Sequence, residues 1–365
     1  MSEWQTFCLK DLVKIFGGST PPTNNPKNYG NKIRWITAKD LSTLQGRYIK
    51  KGNRSISRLG FKSCSTFLLP KHAILFSVRA PIGYTAIISK RSCTDRGLMG
   101  LVPNKKIYFE FLYYLLKYHK DNISNMGVGT TFKGISKPAL GLFKVEIPPT
   151  YYEQQKIART LSVLDQKIEN NHKINELLHT LAYKIYEYYF KYKPKNAKLE
   201  QIIIENPKSN IMVKNAQKTQ DKYPFFTSGD NILSYPKAII DGRNCFLNTG
   251  GNAGIKFYVG KASYSTDTWC ICANEFSDYL YLLLSSIKNH INQSFFQGTS
   301  LKHLQKNLLK KYPIYMPSAH EIKKFNQIMM PLLTLISINT RTSKKLEQIR
   351  DFLLPLLLKQ QVKPQ

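Results

Sequence analysis

The sequence predicts an α+β protein made by internal duplication, in which each half is a β-rich globular part followed by a long helix. Three observations lead to this fold class. The 365-residue chain repeats itself once at a spacing of about 170 residues, strand-like runs bounded by Gly and Pro turns recur in both halves, and an apolar heptad pattern closes each half. A chain of this length can bury substantial cores, and its 42% hydrophobic content excludes disorder by composition.

The repeat is visible as short matched segments. Gly129–Lys133 (GTTFK) matches Gly298–Lys302 (GTSLK), and Val145–Pro148 matches Ile314–Pro317, both at a spacing of 169 residues. Further matches keep the same order along the chain: Thr94-Asp95 with Thr266-Asp267, Phe111–Tyr113 with Tyr279–Tyr281, and Trp35–Asp40 with Phe225–Asp230. Because the order is preserved, we interpret the two halves as copies.

Both predicted long helices carry a heptad seam. The first steps 4-3-4-3 through Ile157, Leu161, Leu164, Ile168, Asn171, Asn175, Leu178, Ala182, Ile185 and Tyr189. The second runs through Phe325, Met329, Leu332, Ile336, Asn339, Ser343, Leu346, Arg350 and Leu353. Asn171 and Asn339 share one repeat position, where a buried amide fixes helix register. We expect the two amides close to one layer, and we expect Pro331 and Pro355 to kink or stop the second helix.

The globular parts contain short runs of β-branched and aromatic residues. In the first half these predicted strands are 73–78, 84–88 and 98–102, and in the second half 244–249, 255–259 and 269–272. One buried helix is predicted in each half, at 109–117 and 277–287. The predicted domains are therefore 1–150 (globular), 151–193 (helix), 194–318 (globular) and 319–365 (helix).

The formal charge of +31 predicts a polyanionic partner, with nucleic acid favoured over an anionic membrane. The four predicted segments carry +17, +2, +7 and +5 in chain order, so most of the charge lies on the globular parts. We therefore interpret the globular parts as the readers of the polyanion and the helices as a scaffold. The longest apolar stretches are too short to span a bilayer, and no secretory signal is visible, which predicts a cytoplasmic protein with no membrane partner and six reduced cysteines.

Catalytic and metal-binding motifs are not found in the sequence. The Gly250–Lys256 segment lacks the Gly-Lys-Ser/Thr ending of a phosphate loop and is interpreted as a hairpin turn. Glu321 falls at a helix start, where the helix dipole favours a carboxylate, and the seven histidines lack ligand spacing. We therefore predict no catalytic residue, no metal site and no cofactor in this chain.

The candidate DNA-binding residues are small polar and basic groups in loops at strand or helix ends. In the first half they are Ser19, Thr20, Lys39, Arg79, Arg96, Thr130, Thr131 and Lys133, and in the second half Thr227, Asn248, Thr249, Asn252, Lys256, Thr299, Ser300 and Lys302. The Gly17–Thr23 loop could present backbone N–H groups and hydroxyls to phosphate or base edges, or could be an ordinary turn. Arg79 interrupts an apolar run and suits guanine, unless it forms a buried ion pair with Asp95.

These segments resemble the DNA-specificity subunit of Type I restriction-modification systems. The resemblance rests on the Gly-Gly-Ser-Thr-Pro loop, on 33–41 (IRWITAKDL), on the Gly-Thr-Thr segment, on the helix start 153–157 (EQQKI) and on the whole-chain duplication. The second half departs from it, because 206–210 (NPKSN) replaces the Gly-Thr-Pro loop.

The resemblance implies two target-recognition domains, separated by two antiparallel coiled-coil helices with pseudo-twofold symmetry, each reading half of a bipartite site in double-stranded DNA. The helices would act as a ruler and would dock two modification (methyltransferase) subunits. It also implies that S-adenosylmethionine, ATP and Mg act in partner subunits, which include ATP-driven restriction subunits.

Three other readings stay open from the sequence. The chain could be a nuclease or modifying enzyme with unfamiliar motifs, or an RNA-binding module that stacks bases on its 22 Tyr and 19 Phe. It could also be a coiled-coil adaptor, although the concentration of charge on the globular parts argues against that reading.

Overall fold

The structure is a computed structural model that describes residues 3–79, 81–129, 133–216 and 222–364. The chain forms two compact units. The first unit comprises Met1–Asn170 with Ser343–Gln365, and the second comprises Asn171–Thr342. Each unit therefore contains one globular part and one segment of each long helix.

The first globular part combines strands and short helices. Its strands are β1 (Gln5–Cys8), β2 (Val13–Gly17), β3 (Tyr29–Ile36), β4 (Tyr48–Ile49), β5 (Arg54–Ile56), β6 (Ile74–Val78), β7 (Ile82–Ile88), β8 (Cys93–Thr94), β9 (Leu98–Pro103) and β10 (Lys144–Ile147). Its helices are α1 (Leu9–Leu12), α2 (Ala38–Ser42), α3 (Arg58–Lys62), α4 (Phe109–Tyr118), α5 (Lys120–Asn125) and α6 (Lys137–Leu142). The long helix α7 (Tyr151–Tyr186) follows, and a π-helical turn at Glu187–Lys191 ends it.

The second globular part also combines strands and short helices. Its strands are β11 (Ala197–Lys198), β12 (Ile204–Glu205), β13 (Tyr223–Phe226), β14 (Leu233–Tyr235), β15 (Arg243–Asn248), β16 (Ile255–Val259), β17 (Ser263–Tyr264), β18 (Thr268–Cys272), β19 (Phe296–Gln297), β20 (His303–Leu304) and β21 (Pro313–Ile314). Its helices are α8 (Val213–Ala216), α9 (Ser277–Ser286), α10 (Lys288–Ser294) and α11 (Lys306–Lys310). The long helix α12 (Ala319–Leu358) closes the chain.

The two globular parts share one sheet topology. The order β2-β9-β6-β7 in the first recurs as β12-β18-β15-β16 in the second, and β5-β3-β8 recurs as β14-β13-β17. The edge strand β4, which pairs with β7, has no counterpart in the described four-stranded sheet. The parallel pair is also repeated, since Trp35 lies opposite Cys93 and Phe225 lies opposite Ser263. The α+β fold class and the internal duplication are confirmed. The central strand β6 is buried along its whole length because both of its faces are covered.

One sequence match between the halves is wrong. The Asp95 N–H donates to the Ile36 carbonyl, and the equivalent Ser265 N–H donates to the Phe226 carbonyl. Asp95 therefore corresponds to Ser265, two residues before the Asp267 that the Thr-Asp match selected. The hydrogen bonds that follow the parallel strands fix the correspondence, and a recurring dipeptide does not.

Both long helices begin with a capping box. The Thr150 hydroxyl contacts the Glu153 carboxylate at 2.9 Å and accepts a hydrogen bond from the Glu153 N–H. Ser318 and Glu321 repeat this arrangement, with the Ser318 N–H donating to the Glu321 carboxylate at 2.9 Å. These pairs satisfy N–H groups that have no partner inside the helix, so each helix starts directly after the Pro-containing segment that ends its globular part.

The expectation that proline would stop the second helix is wrong. Helix α12 continues through Pro331 and Pro355 to Leu358. A proline in a helix interior costs about 3 kcal/mol. Burial of Phe325, Met329 and Leu333 on the globular part offsets that cost, because each of these side chains is at most 1% exposed.

Within each unit the two helix segments run antiparallel. In the first unit Ile157 and Leu357 line one pocket, and Asp165 pairs with Arg350. In the second unit Tyr189 contacts Phe325, and the Asn339 amide donates to the Asn175 Oδ1 at 2.9 Å. The hydrogen-bonded amide pair is thus Asn175 with Asn339. Asn171, which is buried, lies one turn before Asn175 on α7.

A buried ionic cluster attaches the first globular part to both helices. The Arg47 guanidinium lies 3.1 Å from Glu110 on α4 and 3.2 Å from Glu169 on α7, and the Arg47 N–H donates to the same Glu169 carboxylate. On α7, Asp165 pairs with Arg350 of α12 at 2.7 Å. Burial acts to lower the pKa of Arg47, but the surrounding carboxylates outweigh it and hold that pKa above its usual range.

Two further properties concern the described residues. None of their helices is both long and apolar enough to cross a membrane. The cysteines are free thiols, three of them buried, and burial raises the pKa of the Cys93 thiol to about 11.

Candidate nucleic-acid interface

The Gly17–Thr23 loop is held against the turn between β8 and β9. The Gly18 N–H donates to the Leu98 carbonyl, and the Ser19 N–H donates to the Thr94 carbonyl. Internal carbonyls therefore accept both N–H groups, which favours the alternative of an ordinary turn for the backbone of these two residues. A Cβ at Gly18 would lie 1.9 Å from the Asp95 carbonyl oxygen, so this close approach requires glycine. The side chains of Ser19 and Thr20 stay half-exposed.

Arg79 lies at the exposed end of the central strand β6. Its backbone pairs with Gly134, and the preceding Val78 N–H donates to the Gly97 carbonyl. The guanidinium is exposed, and none of the ion pairs within the described residues involves Arg79. The alternative of a buried ion pair with Asp95 is therefore not what forms. Burial instead raises the pKa of Asp95, whose carboxylate accepts from the Gly97 N–H at 3.0 Å.

Two predicted residues of the first unit lie close together, and two more are exposed. Arg79 and Arg96 line one open cleft together with Gly17, Gly18 and Gly134, and both arginines are exposed. Lys133 is exposed next to Gly134. Lys39 is exposed on α2. Thr130 and Thr131 lie outside the described residues.

The second unit places the predicted residues differently. Asn248 and Thr227 are each 6% exposed. The Asn248 amide donates to the Asn252 carbonyl, and the Lys256 ammonium donates to the Asn248 Oδ1 and to the Thr227 carbonyl. The expectation that Asn248, Thr227 and Lys256 face DNA needs correction, because their polar atoms close the turn after β15. Burial lowers the pKa of Lys256, as expected for a partly desolvated ammonium.

The predicted residues of the second unit that remain exposed come from two loops. Asn252 lies at the tip of the β15–β16 turn, and Thr299, Ser300 and Lys302 lie in the loop after β19. The two loops are joined, since the Gly251 N–H donates to the Lys302 carbonyl at 2.9 Å. Thr249 is half-exposed, with its hydroxyl donating to the Asp267 carbonyl at 2.7 Å.

The same loops meet at the same strand end in both units. Arg79 pairs with Gly134 in the first unit, and Gly250 pairs with His303 in the second. By the strand register, Arg79 is equivalent to Gly250, and buried Ser77 is equivalent to Asn248. Ser77 has the same role as Asn248, since its hydroxyl donates to the Pro81 carbonyl and accepts the Tyr84 N–H. Each unit therefore presents one loop cluster, which is basic in the first unit and mainly neutral in the second.

Motif matching missed exposed basic residues on the small sheet β5-β3-β8. Lys32 and Arg34 on β3 and Arg54 on β5 are exposed, and the Arg54 guanidinium lies over the Tyr29 ring at 4.3 Å. A count of charge along the chain would have found them, because residues 12–73 contain a single acidic residue, Asp40. Within the described residues, no group of three or more His, Cys, Asp or Glu side chains could hold a metal ion.

Fold and loops together define a duplicated α+β chain with two loop-bearing globular parts and two antiparallel helix segments in each unit. The family described as "Type I restriction modification DNA specificity domain" matches residues 1–180 and 195–348. The chain belongs to this family and is a specificity subunit of the Type I restriction-modification class.

Named relatives agree with this assignment. The Type I restriction enzyme MjaIX specificity subunit of Methanocaldococcus jannaschii is 28% identical over 98% of this chain and 93% of its own length. A putative type I specificity subunit of Mycoplasma genitalium, S.MgeORF438P, is 24% identical over 84% of this chain and 80% of its own. The crystal structure of a Type I system S subunit from M. genitalium superimposes with a TM-score of 0.63, covering 98% of this chain and 96% of that one at 18% identity, which shows a shared fold.

Proposed function

We propose that this chain is the sequence-reading subunit of its complex, and that each globular part contacts one half of a bipartite site in duplex DNA. The observation that carries the proposal is the repeated strand end, where β6 and β15 each bring a hairpin turn against a second loop. Loops held by a rigid sheet are suited to base-edge readout. Different residues at equivalent positions, such as Arg79 and Gly250, would make the two globular parts read different half-site sequences.

We further propose that the chain performs no chemistry itself. In this proposal the helices dock two modification subunits that bind S-adenosylmethionine and methylate adenine, and ATP and Mg act in restriction subunits. Exposed apolar side chains, such as Leu177 on α7 at 71% and Tyr188 in the π-helical turn that ends it at 86%, are suited to contact partner proteins.

Sequencing of methylated adenines tests the reading role. The full chain is co-expressed with its modification subunits in a host without other adenine methylation. We expect one split motif with two unlike halves. An uninterrupted motif, or methylation that does not depend on the chain, would contradict the proposal. If six to ten phosphates are neutralised, duplex affinity should also fall about 10³–10⁵-fold between about 50 and 200 mM salt.

We also propose that α7 and α12 set the spacer between the half-sites. A heptad adds about 10 Å to a helix at 1.5 Å per residue, which equals about three base pairs. Insertion of seven residues into both helices, next to Asn175 and Asn339, should lengthen the unread spacer and leave both half-sites unchanged. Insertion into α7 alone is the control, because it makes the two helices unequal in length and takes part of α7 out of register with α12, which should abolish methylation. Changed half-sites with an unchanged spacer would show that the helices are not the ruler.

A further inference from the structure

The segment 18–73 of the first globular part exposes charges of a single sign. Its only acidic residue, Asp40, is buried, and the Asp40 carboxylate accepts hydrogen bonds from the N–H groups of Thr37 and Asn53. Ten basic side chains of the same segment are exposed, and together we name them the basic surface: Lys27, Lys32, Arg34, Lys39, Lys50, Lys51, Arg54, Arg58, Lys62 and Lys71. With the one carboxylate buried, the exposed charges of this segment are all positive.

The basic surface is built on a rigid frame. Helix α3 is fastened to the turn before β3, because the Ser57 hydroxyl donates to the Lys27 carbonyl and the Ser57 N–H donates to the Asn28 carbonyl. A Cβ at Gly60 would lie 2.0 Å from the Asn28 carbonyl oxygen, so helix and turn are in direct backbone contact. Trp35, Ile56 and Cys93 form a small core underneath. The charges are therefore held in place before any ligand binds.

The equivalent segment of the second globular part is different. Residues 206–242, between β12 and β15, expose four basic side chains within the described residues, Lys208, Lys214, Lys222 and Lys237. Two acidic side chains, Asp230 and Asp241, are exposed in the same segment. Charges of mixed sign at lower density produce a much weaker positive potential.

The basic surface adjoins the loop cluster of the same unit. Strand β8 pairs with β3 and leads directly into the turn that carries Arg96. The loop residue Ser19 bonds to both strands, since its N–H donates to the Thr94 carbonyl and its carbonyl accepts the Trp35 indole N–H at 3.2 Å. A DNA duplex that reaches Arg79 and Arg96 would therefore lie next to the basic surface.

We propose that the basic surface is the main phosphate-binding surface of this chain, so that the first globular part provides most of the sequence-independent affinity for duplex DNA. The second globular part then contributes sequence preference with few phosphate contacts. The occupant is the DNA phosphate backbone, because exposed Lys and Arg complement it in charge and none of the ion pairs within the described residues involves these ten side chains. This inference rests on the proposed function and adds a division of labour between the two globular parts.

Two matched triple variants of the full chain test the inference. The first is Lys32→Gln, Arg34→Gln and Lys62→Gln on the basic surface, and the second is Lys208→Gln, Lys214→Gln and Lys237→Gln in the second globular part. Both remove three exposed charges. Binding of a random-sequence duplex of about 40 base pairs is measured as a function of salt concentration. The slope of log affinity against log salt should weaken by about 2–3 for the first variant and by less than about 1 for the second, since each phosphate contact contributes about 0.9.

The controls separate the possible failures. Thermal unfolding of both variants should match that of the unmodified chain, because all six side chains are exposed. Equal changes in slope would overturn the inference and leave the proposed function intact. Absence of salt-dependent duplex binding by the unmodified chain would overturn the proposed function itself. Tighter binding of single-stranded RNA of equal length, or of anionic vesicles, would also overturn the assignment to duplex DNA.

Discussion

At equivalent positions of their helix segments, the first and second units pack different kinds of side chain. Helices α7 and α12 start from equivalent capping boxes, so Asp165 is equivalent to Leu333 and Arg350 is equivalent to Ala182. Asp165 and Arg350 form a buried ion pair in the first unit. Leu333 and Ala182 are at most 1% exposed and belong to one apolar cluster in the second. The duplicated fold thus tolerates either an ion pair or an apolar contact at one position.

In both units the globular part attaches to the long helix at the same helix position, although the residues that form the contact differ. Glu169 on α7 accepts the Arg47 N–H, and the equivalent Ser337 on α12 accepts the Val259 N–H at 3.0 Å. The equivalent acids on the short buried helices also keep an arginine each, since Glu110 pairs with Arg47 and Asp278 pairs with Arg243. The comparison teaches that backbone topology and burial define the fold, whereas the identity of the polar partner varies.

The largest expected effect comes from breaking the ion pair of the first unit on one side only. Arg350→Ala should destabilise the first unit by about 3–5 kcal/mol, because it leaves the Asp165 carboxylate buried without its closest guanidinium. Hydrogen exchange at the α4 amides measures this loss in the first unit, with the second unit as internal reference.

Replacing three residues of the first unit with their equivalents in the second unit sharpens this prediction. Tyr114, whose hydroxyl donates to Asp165 at 2.5 Å, is equivalent to Leu282. The triple variant Tyr114→Leu, Asp165→Leu, Arg350→Ala removes the ion pair and the tyrosine hydroxyl together, while Arg47 keeps Glu110 and Glu169 as partners. It should change stability by no more than about 1 kcal/mol. A triple variant as unstable as Arg350→Ala would mean that the first unit requires the ionic cluster.

A smaller effect is expected at the loop clusters, where the units differ most in charge. Arg79→Ala should relax base preference in one half-site by about 1–3 kcal/mol and leave the other half-site unchanged. The fold should be unaffected because Arg79 is exposed. Methylated-motif sequencing and competition with single-base variants of that motif measure the change. The matched control is Lys302→Ala in the second unit, and weakening of all sequences alike by Arg79→Ala would identify a phosphate contact.

The features that the two units share, backbone topology and burial, are also the features that can be predicted from the sequence. The predicted strands 255–259 and 269–272 and the predicted helices 109–117 and 277–287 agree with β16, β18, α4 and α9 within one residue at each end. Burial imposes a periodic pattern on such elements, and the pattern is visible in one sequence. Side-chain direction at loops is not periodic. Arg79 and Asn248 are polar residues at the ends of the equivalent strands β6 and β15, yet Asn248 is buried in a turn and Arg79 is exposed.

The smallest expected effect concerns pH and one position where the units differ by a single ionisable group. His119 ends α4 and the equivalent Ile287 ends α9. Burial lowers the pKa of His119, which packs on the Phe143 ring at 5.2 Å. Because the pKa of His119 in the folded state lies below its pKa in the unfolded state, the contribution of neutral His119 to stability is fully present above the ordinary histidine pKa of about 6.5. That contribution is lost as pH falls through this value.

His119→Ile should therefore make the stability of the first unit less dependent on pH between about 7.5 and 5.5. The reciprocal Ile287→His should introduce a pH dependence in the second unit, measured by hydrogen exchange at both pH values. If His119→Ile leaves the pH dependence of the first unit unchanged, His119 does not contribute to it.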